Sequence, residues 1–98
     1  MPFRVIFAQE AEDDLLELAT SIAERAGLER ALTYTDRIEA ACLALAQFPQ
    51  RGTARDDIRR GLRTIGFERR ATIAFHVGPN VVTITRILYG GRDLGAAL

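Results

Sequence analysis

The chain has 98 residues and is formally uncharged, because thirteen basic residues balance thirteen acidic ones. This length suits one domain with a modest core, so residues 1–98 are expected to form a single domain. The one cysteine, Cys42, excludes an internal disulfide and a multi-cysteine metal site. No apolar run has the length of a signal peptide or of a membrane span, and we expect a soluble, cytoplasmic protein without metal or cofactor.

Charge is nevertheless segregated along the chain. Residues 1–48 hold nine acidic and four basic side chains, whereas residues 49–98 hold four acidic and nine basic ones. Every basic residue is arginine, whose planar guanidinium suits carboxylate, phosphate and stacking partners. A GC-rich genome would give the same arginine usage, so composition alone leaves a binding role and a codon bias equally open.

The first half of the sequence predicts one strand followed by a helical hairpin. Apolar residues alternate in the strand expected within residues 1–7. Helical spacing predicts helices over residues 9–26 and 28–47, and Gly27 supplies the left-handed residue that commonly ends a helix. A one-residue break implies an antiparallel hairpin over residues 9–47. The predicted buried stripes are Ala11, Leu15, Leu18, Ile22 and Ala26 in the first helix, and Leu28, Leu32, Thr35, Ile38, Cys42 and Leu45 in the second.

The second half predicts a β-meander over residues 62–89. Its strands, rich in β-branched and aromatic residues, are expected at residues 62–67, 70–77 and 81–89. A polar surface loop with four arginines precedes them at residues 50–60, and a loosely held tail follows at residues 93–98. The pattern predicts an α+β fold in which the two helices cover one face of a four-stranded antiparallel sheet, which the N-terminal strand joins.

Side chains alternate along a strand, so each strand presents one set to the helices and one set away from them. The face away from the helices is called the second face below. Ala71, Ile73, Phe75 and Val77 are predicted on the helix side, and Arg70, Thr72, Ala74 and His76 on the second face together with Arg63 and Ile65. The last strand has two possible phases, one with Ile84, Arg86 and Leu88 on the second face and one with Thr83, Thr85, Ile87 and Tyr89 there. We adopt the first, because burying an unpaired Arg86 would be costly.

The second face would then carry an apolar strip with an arginine rim. Such a strip is rarely left bare in water, and it would suit a peptide with acidic flanks or a nucleic acid. The arginines could bind nucleic acid or could complement an acidic protein partner. We prefer the protein partner, although the two uses are compatible. The predicted interaction site comprises Arg59, Arg60, Arg63, Ile65, Thr72, Ala74, His76, Ile84, Arg86, Leu88 and Arg92.

Short motifs accompany this order of elements. They are Ala11-Glu12-Asp13-Asp14-Leu15, Leu45-Ala46-Gln47-Phe48-Pro49 with Gly52 behind it, Gly61-Leu62-Arg63, Thr72-Ile73-Ala74-Phe75-His76-Val77, and Arg86-Ile87-Leu88-Tyr89-Gly90-Gly91-Arg92-Asp93. Each motif is weak alone, but their order and spacing along the whole chain resemble the RelE/ParE superfamily of bacterial toxins. The resemblance implies the fold described above and the toxin half of a type II toxin–antitoxin pair.

The superfamily has two functional branches. RelE-like members cut messenger RNA on the ribosome with basic residues on the second face and a proton-handling residue, often a C-terminal tyrosine, whereas ParE-like members inhibit DNA gyrase. Arg63 and Arg92 match two of the basic positions, but Ile65 and Thr72 occupy the other two without a charge. No tyrosine follows Asp93. The resemblance therefore implies the ParE-like branch, with no catalytic residues.

Such a toxin would have two protein partners. A ParD-like antitoxin would neutralise it in a hetero-oligomer, and the target protein would be DNA gyrase; neither a membrane nor a small-molecule substrate is expected. The main alternative is a ribosome-dependent mRNA endoribonuclease that uses Arg63, Arg86 and Arg92 with either His76 or Tyr89, and only there would nucleic acid be a partner. A decayed toxin kept as a binding module is the third possibility.

Other polar residues carry weaker signals. His76 could be a general base, but no carboxylate near it in sequence would orient it, so we expect a contact with the antitoxin. The Asp56-Asp57 pair is interpreted as a solvated loop or as a partner of Arg59 or Arg60, not as a metal site. Gly90-Gly91 is interpreted as a turn, because no helix follows to bind a phosphate.

Overall fold

The computed structural model describes residues 2–90 and 94–97. Strand β1 spans Arg4–Phe7, helix α1 spans Gln9–Ala26, and helix α2 spans Leu28–Leu43, with one 3₁₀ turn at Ala44–Ala46. The strands that follow are β2 (Thr53–Ala54), β3 (Leu62–Phe67), β4 (Ala71–Val77) and β5 (Val81–Tyr89), and the helical turn α3 is Leu94–Ala97. The periodicity therefore predicted the hairpin and the meander to within a few residues at each end.

The sheet has five strands in the order β1-β5-β4-β3-β2. β1 runs parallel to β5, which corrects the prediction of an antiparallel sheet for this strand, and all the other pairs are antiparallel. The fifth strand was not predicted: β2 lies inside the expected loop and pairs Thr53 with Thr64. Gly52 permits this close approach, because its φ is +79° and a Cβ there would lie 2.2 Å from the Thr64 carbonyl oxygen.

The helices pack on one face of the sheet, as the apolar stripes predict. Buried residues of both helices join those of β4 and β5 in the main core: Ala11, Leu18, Ile22, Ala31, Ile38, Cys42, Ala71, Ile73, Phe75, Val82, Ile84 and Ile87 among others. The predicted burial of Leu28 and Leu32 is wrong, because they are 66% and 51% exposed, and the predicted burial of Ala26 is wrong as well, because Ala26 is exposed. The buried stripe of α2 begins at Ala31: Leu28 is the first residue of the helix and precedes the stripe, and Leu32 points about 100° away from Ala31.

The alternation of side chains between the two faces of the sheet shifts by one residue in the middle of β5, so neither of the two predicted phases applies to the whole strand. Ala74 pairs with Arg86, but the next residue, Phe75, pairs with Ile84. Thr85 is the extra residue of a β-bulge, which reverses the alternation of the strand. Arg86 and Leu88 lie on the second face as predicted, whereas the prediction for Ile84 is wrong: Ile84 lies in the main core and is fully buried.

The predicted phase of β3 is also wrong. Arg63 pairs with Phe75 and Ile65 pairs with Ile73, and directly opposite residues of an antiparallel pair share a face. Ile65 packs against the main core, so both β3 residues lie on the helix side instead of the second face. Leu62 is the buried apolar residue that β3 contributes to the second face.

Candidate protein-interaction surfaces

The second face is largely covered by the chain itself, which corrects the prediction of a bare apolar strip. Leu62, Ala74 and Leu88 are fully buried or nearly so, in a cluster with Leu94 of α3. Ile58 and Ala97 pack against the same cluster. The described part of the tail is therefore a helical turn seated on the sheet, and Ala74 and Leu88 are not available to a partner while it stays there.

Arg86 is engaged within the molecule as well. Its Nε and Nη2 donate to Asp14 Oδ2 and Oδ1 at 2.8 and 2.9 Å, and its Nη1 donates to the Ala97 carbonyl at 2.8 Å. The side chains of Arg86 and Asp14 are 15% and 5% exposed. The carboxylate beside it raises the pKa of Arg86, so the guanidinium remains charged, and each of its three nitrogens donates a hydrogen bond. Arg86 is therefore a structural residue of the α1–β5 seam and not a free cation of the second face.

The surroundings of His76 are poor in acid–base partners. Its Nδ1 lies 3.1 Å from the Thr85 hydroxyl, and the Arg59 guanidinium and the Arg60 backbone are near the ring. Burial, and after it the positive charge of Arg59, lowers the pKa of His76, while the hydrogen bond to the Arg60 backbone acts in the opposite direction. Among the described residues, no group of three His, Cys, Asp or Glu side chains could hold a metal ion.

Of the predicted site, a smaller accessible group remains on the second face and the loop beside it. Arg59 and Arg60 are exposed, and Thr72 and His76 are half-buried. Arg63 donates through Nε to the Arg51 carbonyl at 3.0 Å, on the helix side. Arg92 lies outside the described residues. We call Arg59, Arg60, Thr72 and His76 the second-face group.

The neighbouring loop is held by its own acidic residues. Asp57 accepts two hydrogen bonds from Arg55, at 3.0 Å each, and Asp56 accepts one from the Gly61 backbone at 2.8 Å. The prediction for this pair was a solvated loop or an ion pair with Arg59 or Arg60; both carboxylates are exposed, and Arg55 is a cation that binds Asp57. The carboxylates thus organise the loop that carries Arg59 and Arg60 of the second-face group.

A second surface was not predicted from the sequence. It is a groove of about 530 Å³ between the helical hairpin and the far end of the meander, lined by Ile22, Arg25, Ala26, Glu29, Arg30, Thr33, Tyr34, Arg37, Glu68, Arg70 and Tyr89. We call it the arginine groove. A partial signal was available, because residues four and three apart share a helix face and Arg30, Tyr34 and Arg37 have this spacing.

Tyr34 forms the aromatic centre of the arginine groove. Its ring packs edge-to-face against Phe67 at 5.6 Å and Tyr89 at 6.1 Å between centroids, and the Arg37 guanidinium lies 5.6 Å from its ring centre. Its hydroxyl is buried and has no hydrogen-bond partner among the described residues. Burial is the main cause that raises the pKa of Tyr34, with smaller contributions from Tyr89 and Glu68.

Tyr89, one of the two catalytic candidates, belongs to this groove. It pairs with Ala71 on the helix side and lies beside Arg70, whereas His76 pairs with Thr83 on the second face. The two candidates therefore lie on opposite faces of the sheet and do not share a site. Cys42 is a core residue as predicted, and burial raises the pKa of its thiol to about 12.

A helical hairpin on one face of a mixed sheet, with the first strand parallel to the last, defines the class: this is the fold of the RelE/ParE toxins. Structures of that class align with nearly the whole chain. A chain of the chromosomal ParDE toxin–antitoxin system of P. aeruginosa matches with a TM-score of 0.79 and 25% identity over 90% of this chain and 96% of that one. A chain of the RelBE2 toxin–antitoxin complex of Mycobacterium tuberculosis matches with a TM-score of 0.65 and 16% identity over 91% and 99%, which supports the fold alone.

The sequence comparisons identify the branch. The model of the family described as the ParE toxin of the type II toxin–antitoxin system parDE matches residues 5–94, and the chain belongs to this family. It is also 33% identical to Toxin ParE3 of Caulobacter vibrioides over 95 residues, which are 97% of this chain and 94% of that protein. Within the described ranges, no helix is long and apolar enough to cross a bilayer.

Proposed function

We propose that this ParE-family toxin acts by binding and stalling DNA gyrase in the cytoplasm, without catalysis of its own. The proposal rests on the positions at which a RelE-like nuclease would need positively charged side chains. Ile65 packs against the core on the helix side, Thr72 is uncharged, and Arg86 is neutralised by Asp14. A phosphate would therefore find no available cation at these three positions to stabilise the charge that develops during its cleavage.

A cognate ParD-like antitoxin would neutralise the toxin in a hetero-oligomer. The titles of both structural neighbours describe toxin–antitoxin assemblies, which supports this partner. Of the originally predicted site, the second-face group is the part that a partner could reach, with Arg59 and Arg60 exposed beside half-buried Thr72 and His76. A strongly hydrated lysine would be a weaker choice there, because arginine pairs with carboxylates through two parallel hydrogen bonds.

The experiment measures both candidate activities of the purified toxin. We expect inhibition of gyrase supercoiling, relief of this inhibition by the antitoxin encoded in the adjacent reading frame, and intact mRNA in a translating extract. Arg60→Glu should weaken antitoxin binding, and Arg4→Glu on the exposed part of β1 is the control with the same charge change. Codon-linked mRNA cuts that disappear in His76→Ala or Tyr89→Phe would overturn the proposal in favour of a ribonuclease.

A further inference from the structure

The arginine groove has an excess of positive charge that the fold does not use. Its lining contains four arginines and two glutamates. Arg37 forms an ion pair with Glu68, and the Arg70 guanidinium lies beside the Tyr89 hydroxyl, which raises the pKa of Arg70. Arg25 donates only to the Ser21 carbonyl, and Arg30 has no hydrogen bond or ion pair with any residue in the described ranges. Two guanidinium groups at the hairpin end thus keep donors available for an acceptor.

The shape of the groove favours a polypeptide over a small molecule. Arg25, Ala26, Glu29, Arg30 and Thr33 all line it and are all exposed, so much of a small ligand would remain in water. Sites for small molecules usually bury most of the ligand surface. A shallow groove with an aromatic centre instead suits a chain segment that crosses it and continues on either side.

The charge pattern favours carboxylates over nucleic acid. Glu29 and Glu68 stand among the arginines, and closely spaced backbone phosphates would be repelled by both. Individual carboxylates can form paired hydrogen bonds with the planar guanidinium groups of Arg25 and Arg30 and stay away from the two glutamates. The ring of Tyr34, held by Phe67 and Tyr89, offers a rigid surface for an apolar side chain of the same segment.

We propose that the arginine groove is a second docking site of the antitoxin, which takes an acidic segment of that protein. This inference rests on the proposed function, because it assumes that the antitoxin is the partner. The site is separate from the second-face group: Leu62 pairs with His76 at the start of β3, whereas the groove lies at its other end, roughly 17 Å along a strand of six residues. The two sites also lie on opposite faces of the sheet.

The test compares antitoxin affinities of full-length variants by calorimetry. Arg30→Glu should weaken binding about tenfold and Arg25→Glu/Arg30→Glu further, because each substitution turns an attraction into a repulsion. Arg4→Glu, with the same charge change on exposed β1, should stay within about twofold of the native affinity at equal salt. Arg30 is exposed, so circular dichroism and melting temperature should show that the variants remain folded.

One further measurement, together with a comparison of the variants, separates this inference from the proposed function. Both tyrosines line the groove and the chain has no tryptophan, so tyrosine emission, recorded with a tyrosine- and tryptophan-free peptide copied from the acidic part of the antitoxin, reports on the groove directly. We expect a saturable change that Arg25→Glu/Arg30→Glu abolishes. Native affinity in that double variant, with Arg60→Glu impaired, would overturn the groove site and leave the proposed function standing. Absence of any binding by the native toxin would overturn both.

Discussion

Asp14 accepts three hydrogen bonds across the seam between α1 and β5, and two of them come from Arg86. The third comes from the backbone N–H of Ile87, at 2.9 Å from Asp14 Oδ2. β1 pairs with β5 only as far as Ile84, so the edge of β5 beyond that residue lacks a neighbouring strand. The carboxylate supplies the acceptor that the strand would have supplied, and the guanidinium cancels its charge. One side chain of α1 thus fixes the helix to the sheet.

We predict that Asp14→Ala lowers the free energy of unfolding by about 3–5 kcal/mol, because it leaves Arg86 charged and partly buried without its partner. Urea denaturation monitored by circular dichroism measures this loss. Asp13→Ala, on the exposed side of the same helix, should cost less than about 0.5 kcal/mol. A double variant Asp14→Ala/Arg86→Met should recover part of the loss, and an equal or larger loss would argue against an unpaired charge as the cause.

The fold was largely predictable because its helices and strands carry strong local sequence signals. Most of the wrong predictions concern residues whose burial or pairing depends on residues distant in the sequence. A break in the alternation of β5 was visible, since Val82 and Ile84 are two residues apart but Ile84 and Ile87 are three apart. A uniform phase was nevertheless imposed, and it misplaced Ile84. A bulge could have been inferred from that spacing, because one extra residue restores the apolar side to the core.

The candidate site was less predictable for a physical reason. Burial of Ala74 and Leu88 depends on Leu94, which local patterns assign to a loose tail, and no periodicity signals a single helical turn. The partner of Arg86 lies 72 residues earlier in the chain, so the cost of an unpaired arginine was argued correctly but its solution was not foreseen. The arginine groove likewise combines Arg30 of α2 with Arg70 and Tyr89 of the meander.

Gly52→Ala should destabilise the β2–β3 edge. The new Cβ would lie 2.2 Å from the Thr64 carbonyl oxygen and 2.5 Å from Ile65 Cγ2, and the backbone has φ +79°. Backbone atoms cannot give way as a flexible side chain would, so we expect a loss of about 2–4 kcal/mol in chemical denaturation.

Gly66→Ala is the matched control for this substitution. It lies in β3 with no atom within 4 Å of its added Cβ, and it should change stability by less than about 1 kcal/mol. Comparable losses in both variants would show that the chain does not pass close to Thr64 at Gly52.

Tyr34→Phe should leave stability unchanged or raise it by about 1 kcal/mol. The hydroxyl is buried without a partner among the described residues, so its removal relieves a desolvation cost while the ring contacts with Phe67 and Tyr89 remain. The control is Tyr89→Phe, which removes the hydroxyl beside the Arg70 guanidinium and should lower stability slightly. Thermal melts of both variants provide the comparison, and a clear loss in Tyr34→Phe would reveal a partner for its hydroxyl.

His76 should make the stability of the protein fall as the pH is lowered from 7.5 to about 5.5. Burial and then Arg59 lower its pKa in the folded state from the ordinary 6.5, so below that value the unfolded chain binds a proton more readily than the folded one. Stability therefore rises with pH most steeply between the folded and the unfolded pKa, and it becomes independent of this group about one pH unit above 6.5. The chain has one histidine, so the difference in urea midpoint between native protein and His76→Gln isolates its contribution from the carboxylates. NMR titration of its ring should give a midpoint below 6.5. Parallel pH profiles for the two proteins, or a higher midpoint, would contradict the burial of a neutral imidazole against Thr85 and Arg59.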